Sequence, residues 1–208
     1  MQVVKAGLGP SWLHGAQVHG VSDTVLARQR TVAASVAGHV NGQSATMLLM
    51  MLDSPRVDPI YLATESAVKP YLCIVWQHEI SFSSLERAWR AMKQAGAPEC
   101  SWRRATGPIM ACWLSLRRIG WGMLSPFVWH TDMNEQVVIT KMAPLQVVQM
   151  LRDSIFRWQW ARVAQHIPGA DTESPRWLRP LRRLMSGKLS VQLVGALTCV
   201  LKLGLWPA

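Results

Sequence analysis

Apolar residues recur at helical spacing along most of the chain, and this pattern predicts a protein built mainly from helices. Ser22 is placed to cap a first helix and Gly38 to end it. The face predicted to be buried carries Val25, Val32 and Val36. A second, short helix is predicted over residues 45–52, and the turn residues that follow it mark its end.

A third helix is predicted to open at Asp58-Pro59. Pro70 lies inside it, and an internal proline removes a hydrogen bond of the helix and clashes with the preceding turn. We therefore expect a broken or kinked element here, not one straight rod. Its core candidates are Leu62, Tyr71, Val75 and Trp76.

The fourth helix has the clearest start in the chain. Ser83 and Glu86 have the spacing of a capping box, in which hydroxyl and carboxylate satisfy each other's free backbone donors. Gly96 and Pro98 mark the end of this helix. Its apolar stripe consists of Leu85, Ala88, Trp89 and Met92.

Gly107-Pro108 begins a fifth helix, which ends near Arg117-Arg118. Cations at that end complement the helix dipole, so the arginine pair has an ordinary structural explanation. The residues predicted to face inward are Ile109, Cys112, Trp113, Leu116 and Ile119.

After this helix the apolar period changes to two. Residues 127–131 and 136–140 are rich in β-branched and aromatic side chains, and the four residues between them suit a turn, so they predict a β-hairpin. Pro144 then opens the longest helix, which we expect to reach about His166. Its stripe consists of Val148, Leu151, Ile155 and Trp158. The arginines at 152, 157 and 162 are five residues apart and do not line one face.

The predicted fold class is mainly α, with several short-to-medium helices and one small β-hairpin near 127–140. We expect a charge-neutral helical region over 1–80, helices plus the hairpin over 81–167, and a basic linker with a C-terminal helix over 168–208. Residues 1–167 are expected to form one globular unit.

Charge separates these regions more clearly than composition does. The net charge is +10, yet residues 1–80 hold five basic and five acidic side chains, whereas residues 81–208 hold seventeen and seven. A positive field of this kind attracts polyanions, with nucleic acid first and an anionic membrane second. The alternative is that the basic excess only keeps an apolar chain soluble.

Other compositional features set the expected location. The longest mainly apolar run, 189–201, is too short to span a bilayer, and the first twenty residues lack the pattern of a secretory signal. The four cysteines lie far apart, which argues against a disulfide framework or a zinc site. We expect an intracellular protein, cytoplasmic or nuclear, that is not secreted and has no transmembrane segment.

Signatures of catalysis are absent from the sequence. Residues 186–190 match only part of the phosphate-binding loop motif. Arg182 occupies the position of its first glycine, and Leu189 occupies the position of the hydroxyl residue that binds magnesium. No serine elbow, zinc-binding His-Glu-x-x-His or paired-carboxylate site occurs. We therefore expect no polymerase, nuclease or hydrolase activity, no catalytic or metal-ligating residue, and no cofactor.

Eleven tryptophans, many of them interleaved with arginines, are the most unusual feature of the composition. This mixture suits base stacking and phosphate binding, although it also suits guanidinium stacking on indole within a core. Most of the tryptophans fall on the apolar stripes, but Trp102 precedes two arginines between two helices. The predicted nucleic-acid-binding residues are Trp102, Arg103, Arg104, Arg179, Arg182, Arg183 and Lys188. RNA or single-stranded DNA is the expected partner.

Several short motifs resemble those of one known family. They are Trp12–Ala16, Ala27–Arg30, Asp58-Pro59, Ser101–Pro108, Leu116–Trp121, Ser125–Phe127 and Gly204–Trp206. In this order they resemble the segment downstream of the polymerase domain in retroelement-type reverse transcriptase open reading frames of protists. The family's catalytic Tyr-x-Asp-Asp is absent, so no catalytic residue carries over. The resemblance implies a non-catalytic connection region or fragment, whose missing partners are polymerase or ribonuclease H-like domains of the same polyprotein.

Two other interpretations stay open. Two helices followed by a hairpin match the order of a winged-helix module, in which the second helix enters the major groove. Alternatively, the chain is a helical scaffold or a degenerate reading frame with no biochemical activity.

Overall fold

A computed structural model of the protein describes residues 13–37, 46, 49–50, 57–94 and 101–165. Within these residues the chain forms six bounded α-helices and a small antiparallel sheet, so the prediction of a mainly α fold is confirmed. The helices are α1 (Ala16–His19), α2 (Asp23–Ala37), α3 (Pro59–Trp76), α4 (Phe82–Gln94), α5 (Pro108–Arg118) and α6 (Pro144–Ala164). The predicted helix over 45–52 and the predicted elements beyond residue 165 lie largely or wholly outside the described residues.

Helix α3 lies at the centre and packs against α1, α2, α5 and α6. Asp58 caps it by accepting a hydrogen bond from the Ile60 amide at 3.1 Å, and Pro59 occupies its first turn, as the Asp-Pro pair predicts. Of the two predicted forms, a broken helix is wrong, because α3 continues through Pro70 to Trp76, whereas a kink at Pro70 stays a prediction. Buried side chains on both sides of Pro70, among them Val68 and Tyr71, hold both halves of the helix against the core.

Two of the four core candidates in α3 were misplaced. Tyr71 and Val75 are buried, as predicted, but Leu62 is half-buried and Trp76 is 44 % exposed. Trp76 is the last residue of the helix, where no further turn follows to cover an indole side chain.

Helix α2 presents a different face to the core from the one its valines predict. The hydroxyl of Ser22 accepts a hydrogen bond from the Val25 amide at 3.3 Å, which supports the predicted start. The valine stripe is exposed, however, with Val25, Val32 and Val36 at 45, 42 and 44 %. The residues that face the core are Leu26, Gln29, Ala33 and Ala34. Gly38 lies outside the described residues.

The start of α4 also differs from the prediction. The helix begins at Phe82, and the hydroxyl of Ser81, not of Ser83, accepts a hydrogen bond from the Ser84 amide at 3.3 Å. Glu86 makes an ion pair with Arg90 at 3.2 Å and does not complete the predicted capping box. The stripe of Leu85, Trp89 and Met92 is buried as predicted, whereas Ala88 is exposed. Gly96 and Pro98 lie outside the described residues.

The sheet has three short antiparallel strands: β1 (Gly122–Met123), β2 (Val128–His130) and β3 (Gln136–Val138), in that spatial order. The pairing of β2 with β3 confirms the predicted hairpin. Asn134 adopts a positive φ of 60° in the turn between them, a conformation that asparagine tolerates. The sequence does not reveal β1, because two residues are too few to show an alternating pattern.

Helices α5 and α6 begin at the predicted prolines. Six of the eleven residues of α5 are buried, and the less buried Ile109, Trp113 and Arg117 recur every four residues along one face. In α6 the predicted stripe is buried at Val148, Leu151 and Ile155, and Trp158 is half-buried. One hydrophobic cluster extends from Ala16 to Ile155 and includes side chains from α1, the sheet and α6.

Candidate nucleic-acid interface

Between α4 and α5 the chain forms one 3-10 turn, Trp102–Arg104, which contains three of the predicted nucleic-acid-binding residues. Trp102 fixes this turn in place. Its indole N–H donates a hydrogen bond to the Asp23 carboxylate at 3.1 Å, and its half-buried ring packs against the core. Gly20 lies directly against the ring, and a Cβ at this position would overlap it. The turn is therefore anchored to the start of α2, from which it is 79 residues distant in sequence.

Arg118, at the end of α5, completes this anchor. Its side chain is only 4 % exposed, and its Nε donates to Oδ1 of Asp23 at 2.7 Å, while Nη2 donates to the carbonyl of Val21. Its guanidinium carbon lies 4.4 Å from the centroid of the Trp102 ring. Burial lowers the pKa of Arg118, and the neighbouring Asp23 carboxylate counteracts this effect. The four residues Gly20, Asp23, Trp102 and Arg118 form what we call the turn anchor.

Arg103 and Arg104 are exposed on the outer side of the anchored turn. Neither makes an ion pair with any carboxylate in the part of the chain that the structure describes. The structure thus brings Trp102, Arg103 and Arg104 together, but it gives the indole a packing role. The other predicted binding residues, Arg179, Arg182, Arg183 and Lys188, lie outside the described residues.

Five ion pairs between described residues each join an arginine to a carboxylate. They are Arg30–Asp58, Arg90–Glu86, Arg118–Asp23, Arg152–Glu65 and Arg157–Asp132. Four of these pairs join different elements of the fold and only Arg90–Glu86 lies within one helix, so most of the paired arginines serve architecture. Asp23 and Arg118 were missed as parts of the site, because no local pattern connects residues 95 positions apart.

The arginines of α6 confirm that their spacing does not produce a common basic face. Arg152 donates two hydrogen bonds to Glu65 of α3, at 2.6 and 3.0 Å. Arg157 donates two to Asp132 in the hairpin turn, both at 2.7 Å. Buried Ser154 donates to the same Asp132 carboxylate at 2.6 Å and accepts from the Trp121 indole at 2.8 Å. This network attaches the hairpin to α6.

Acid is expected to weaken this attachment. Burial raises the pKa of the Asp132 carboxyl, but hydrogen bonds from Arg157 and Ser154 outweigh it, so the pKa lies below its ordinary value. A carboxyl with a lowered folded-state pKa adds stability above its unfolded pKa of about 4, and this contribution disappears as pH falls through the folded-state value. The free energy of unfolding should therefore fall as the pH drops below about 4, more steeply in the wild type than in D132N.

E135Q is the matched control for this experiment, because it removes the same charge from an exposed position in the same turn. Urea unfolding at several pH values gives the free energy of unfolding of the wild type, D132N and E135Q. A wild type and D132N that lose stability in parallel would contradict the assignment.

Two further properties concern the described residues alone. No three His, Cys, Asp or Glu side chains there are grouped as ligands of a metal ion. Among the same residues, no helix has both the length and the apolar character needed to cross a membrane.

No protein-family model, no curated protein and no solved structure matches the chain.

Proposed function

We propose that the protein is a non-catalytic nucleic-acid-binding module that holds the phosphate backbone with Arg103 and Arg104. The observation that carries this proposal is the exposed arginine pair on a turn that the rest of the fold holds in place. The pair lies in the region of the chain that carries the entire net charge of +10. Arginine suits this role because its planar guanidinium donates several hydrogen bonds to one phosphate.

The turn anchor supports the proposal in two ways. A turn that is already fixed loses less conformational freedom when a ligand binds than a mobile loop does. The nearest carboxylate of the anchor, Asp23, is engaged by both Arg118 and the Trp102 indole. Its negative charge is therefore paired with the positive charge of buried Arg118, and the anchor brings no unpaired carboxylate to the turn.

The side chains on the open face of α5 argue against the winged-helix alternative. A recognition helix must present side chains that read base edges in the major groove. The least buried face of α5 instead carries Ile109, Trp113 and Arg117, and the Arg117 guanidinium lies over the Trp113 ring. Binding through the turn that precedes α5 agrees better with this composition.

The resemblance to the segment downstream of a retroelement polymerase gives this activity a role. In that setting, the module assists a reverse-transcriptase-like protein in holding its template, while the chemistry belongs to other domains. Residues 101–108, which carry part of the resemblance, include the turn itself. We propose this role as a connection region and assign no catalytic residue to the chain.

The experiment is a salt titration of binding, measured by fluorescence anisotropy on the full chain with a labelled 20-nucleotide strand. Neutralising phosphates releases counterions, so log affinity falls linearly with log salt, with a slope of about −0.7 per contact on single strands. The variant R103Q/R104Q should flatten the slope by about 1.4 if each arginine contacts one phosphate. The variant R179Q/R182Q/R183Q should flatten it by about two units on the same basis.

A matched control removes the same two charges elsewhere. Arg28 and Lys69 are exposed on α2 and α3, in the charge-neutral region, so R28Q/K69Q should leave the slope close to the wild-type value. Two outcomes would contradict the proposal: the same salt slope in the wild type and R103Q/R104Q, or the same reduction of the slope in R103Q/R104Q and R28Q/K69Q. Either outcome would leave the protein a scaffold whose charge serves solubility.

A further inference from the structure

We infer that the Arg103–Arg104 turn selects duplex nucleic acid over single strands, because it contacts phosphates and offers no indole for base stacking. This inference rests on the proposed function and specifies its ligand. The mixture of tryptophan and arginine in the sequence predicts the opposite, namely a stacking surface for single strands. The difference lies in what covers the tryptophan rings.

Trp102 is the indole nearest the arginine pair, and its interactions are occupied within the protein. One partner is the Arg118 guanidinium, 4.4 Å from the ring centroid. The ring also lies against Gly20, and its N–H donates to Asp23. A base could stack on this face only by displacing Arg118, which is buried and held by Asp23 and the Val21 carbonyl.

In the described part of the basic region, the other half-buried tryptophans, Trp113 and Trp158, are covered in the same way. Arg117 lies over the ring of Trp113, with its guanidinium carbon 5.4 Å from the centroid. Arg162 and Arg30 lie 4.7 and 6.0 Å from the centroid of Trp158. Each of these rings also packs on the hydrophobic core. Cation–π pairing within the protein therefore uses the indole faces that a base would need.

Without stacking, affinity depends on phosphate density. Duplex DNA carries one charge per about 1.7 Å of its axis, and each neutralised phosphate contributes about 0.9 to the salt slope, compared with about 0.7 on a single strand. Two arginines held on one turn therefore gain more from a duplex. A stacking surface would instead favour single strands by about 5- to 150-fold for each stacked base.

The test compares a labelled 20-nucleotide strand with the 20-base-pair duplex of the same sequence, using the full chain over a range of salt concentrations. We expect the duplex to bind more tightly than the strand, and equal affinities would overturn the inference. R103Q/R104Q should flatten the slope by about 1.8 on the duplex and about 1.4 on the strand. A larger loss on the strand than on the duplex would overturn the inference.

Two tryptophan variants provide a second measurement, the ratio of strand to duplex affinity. W102L removes the indole beside the arginine pair, and W76L is the control at an exposed tryptophan outside the basic region. We expect the ratio to be unchanged in both, even if W102L lowers stability. A selective loss of strand affinity in either variant would overturn the inference and leave the proposed function intact. Failure of both ligands to bind would instead refute the proposed function.

Discussion

Replacing Asp58 by alanine is expected to lower the free energy of unfolding by about 3–5 kcal/mol, the usual cost of breaking a buried ion pair by removing one partner. Asp58 is fully buried and accepts two hydrogen bonds at 2.9 Å from Arg30, through Nε and Nη2. It also accepts hydrogen bonds from the Ile60 amide and from the side-chain amide of Gln159. The substitution therefore removes the cap of α3 and leaves Arg30, whose side chain is almost buried, without its carboxylate.

E86A is the matched control, since it also removes one carboxylate from an arginine pair. Glu86 and Arg90 are exposed on one helix, and such a pair contributes at most about 1 kcal/mol. Urea unfolding at pH 7 gives the loss of unfolding free energy in D58A and in E86A. The comparison requires that the slope of this free energy with urea concentration is the same in the wild type and both variants. A loss in D58A no larger than that in E86A would show that Asp58 does not support the central helix.

The Asp58 network shows how far the sequence predicts this fold. An aspartate before a proline is a local signal, and it places the start of α3 correctly. The partners of the carboxylate are not local, because Arg30 and Gln159 lie 28 and 101 residues away. Their pairing depends on how α2 and α6 pack against α3. The sequence thus predicts the helix but not the buried network that holds it.

Helix α2 illustrates a second limit. Its valines and its alanines form two neighbouring apolar stripes, and hydrophobicity alone favours the valines. The fold buries the alanine stripe instead, and Ala33 and Ala34 are fully buried. Which of two apolar faces is buried depends on the elements that pack against the helix, and the periodicity of one segment does not contain that information.

The candidate site shows the same division between local and distant information. The position of Arg103 and Arg104 in a connection between two helices can be read from the sequence, and the structure leaves both exposed. The function of Trp102 cannot be read in that way, because Asp23 and Arg118 reach it from other elements. A tryptophan beside two arginines therefore predicted a stacking surface, whereas the fold uses the indole to hold the turn.

Replacing Trp129 by alanine is expected to cost about 3–5 kcal/mol, the usual range for a large aromatic residue removed from a core. Trp129 is fully buried in the middle of β2, where it pairs with Met123 on one side and Val137 on the other. Its ring centroid lies 6.0 Å from that of Tyr71 and 6.4 Å from that of Trp121. The alanine variant would therefore leave a cavity between the sheet and α3, and it would lose a substantial part of a typical domain stability of about 5–15 kcal/mol.

Two controls make this loss specific to the burial of the indole. Trp129→Phe keeps most of the ring and removes an indole N–H that has no hydrogen-bond partner among the described residues, so its cost should be well below that of alanine. Trp76→Ala removes the same side chain from an exposed helix end and should cost less than about 1 kcal/mol. Thermal and urea unfolding give the loss of stability in Trp129→Ala, Trp129→Phe and Trp76→Ala. Equal losses of unfolding free energy in Trp129→Ala and Trp76→Ala would contradict the assignment of Trp129 to the core. The two positions differ mainly in how completely the protein surrounds the indole.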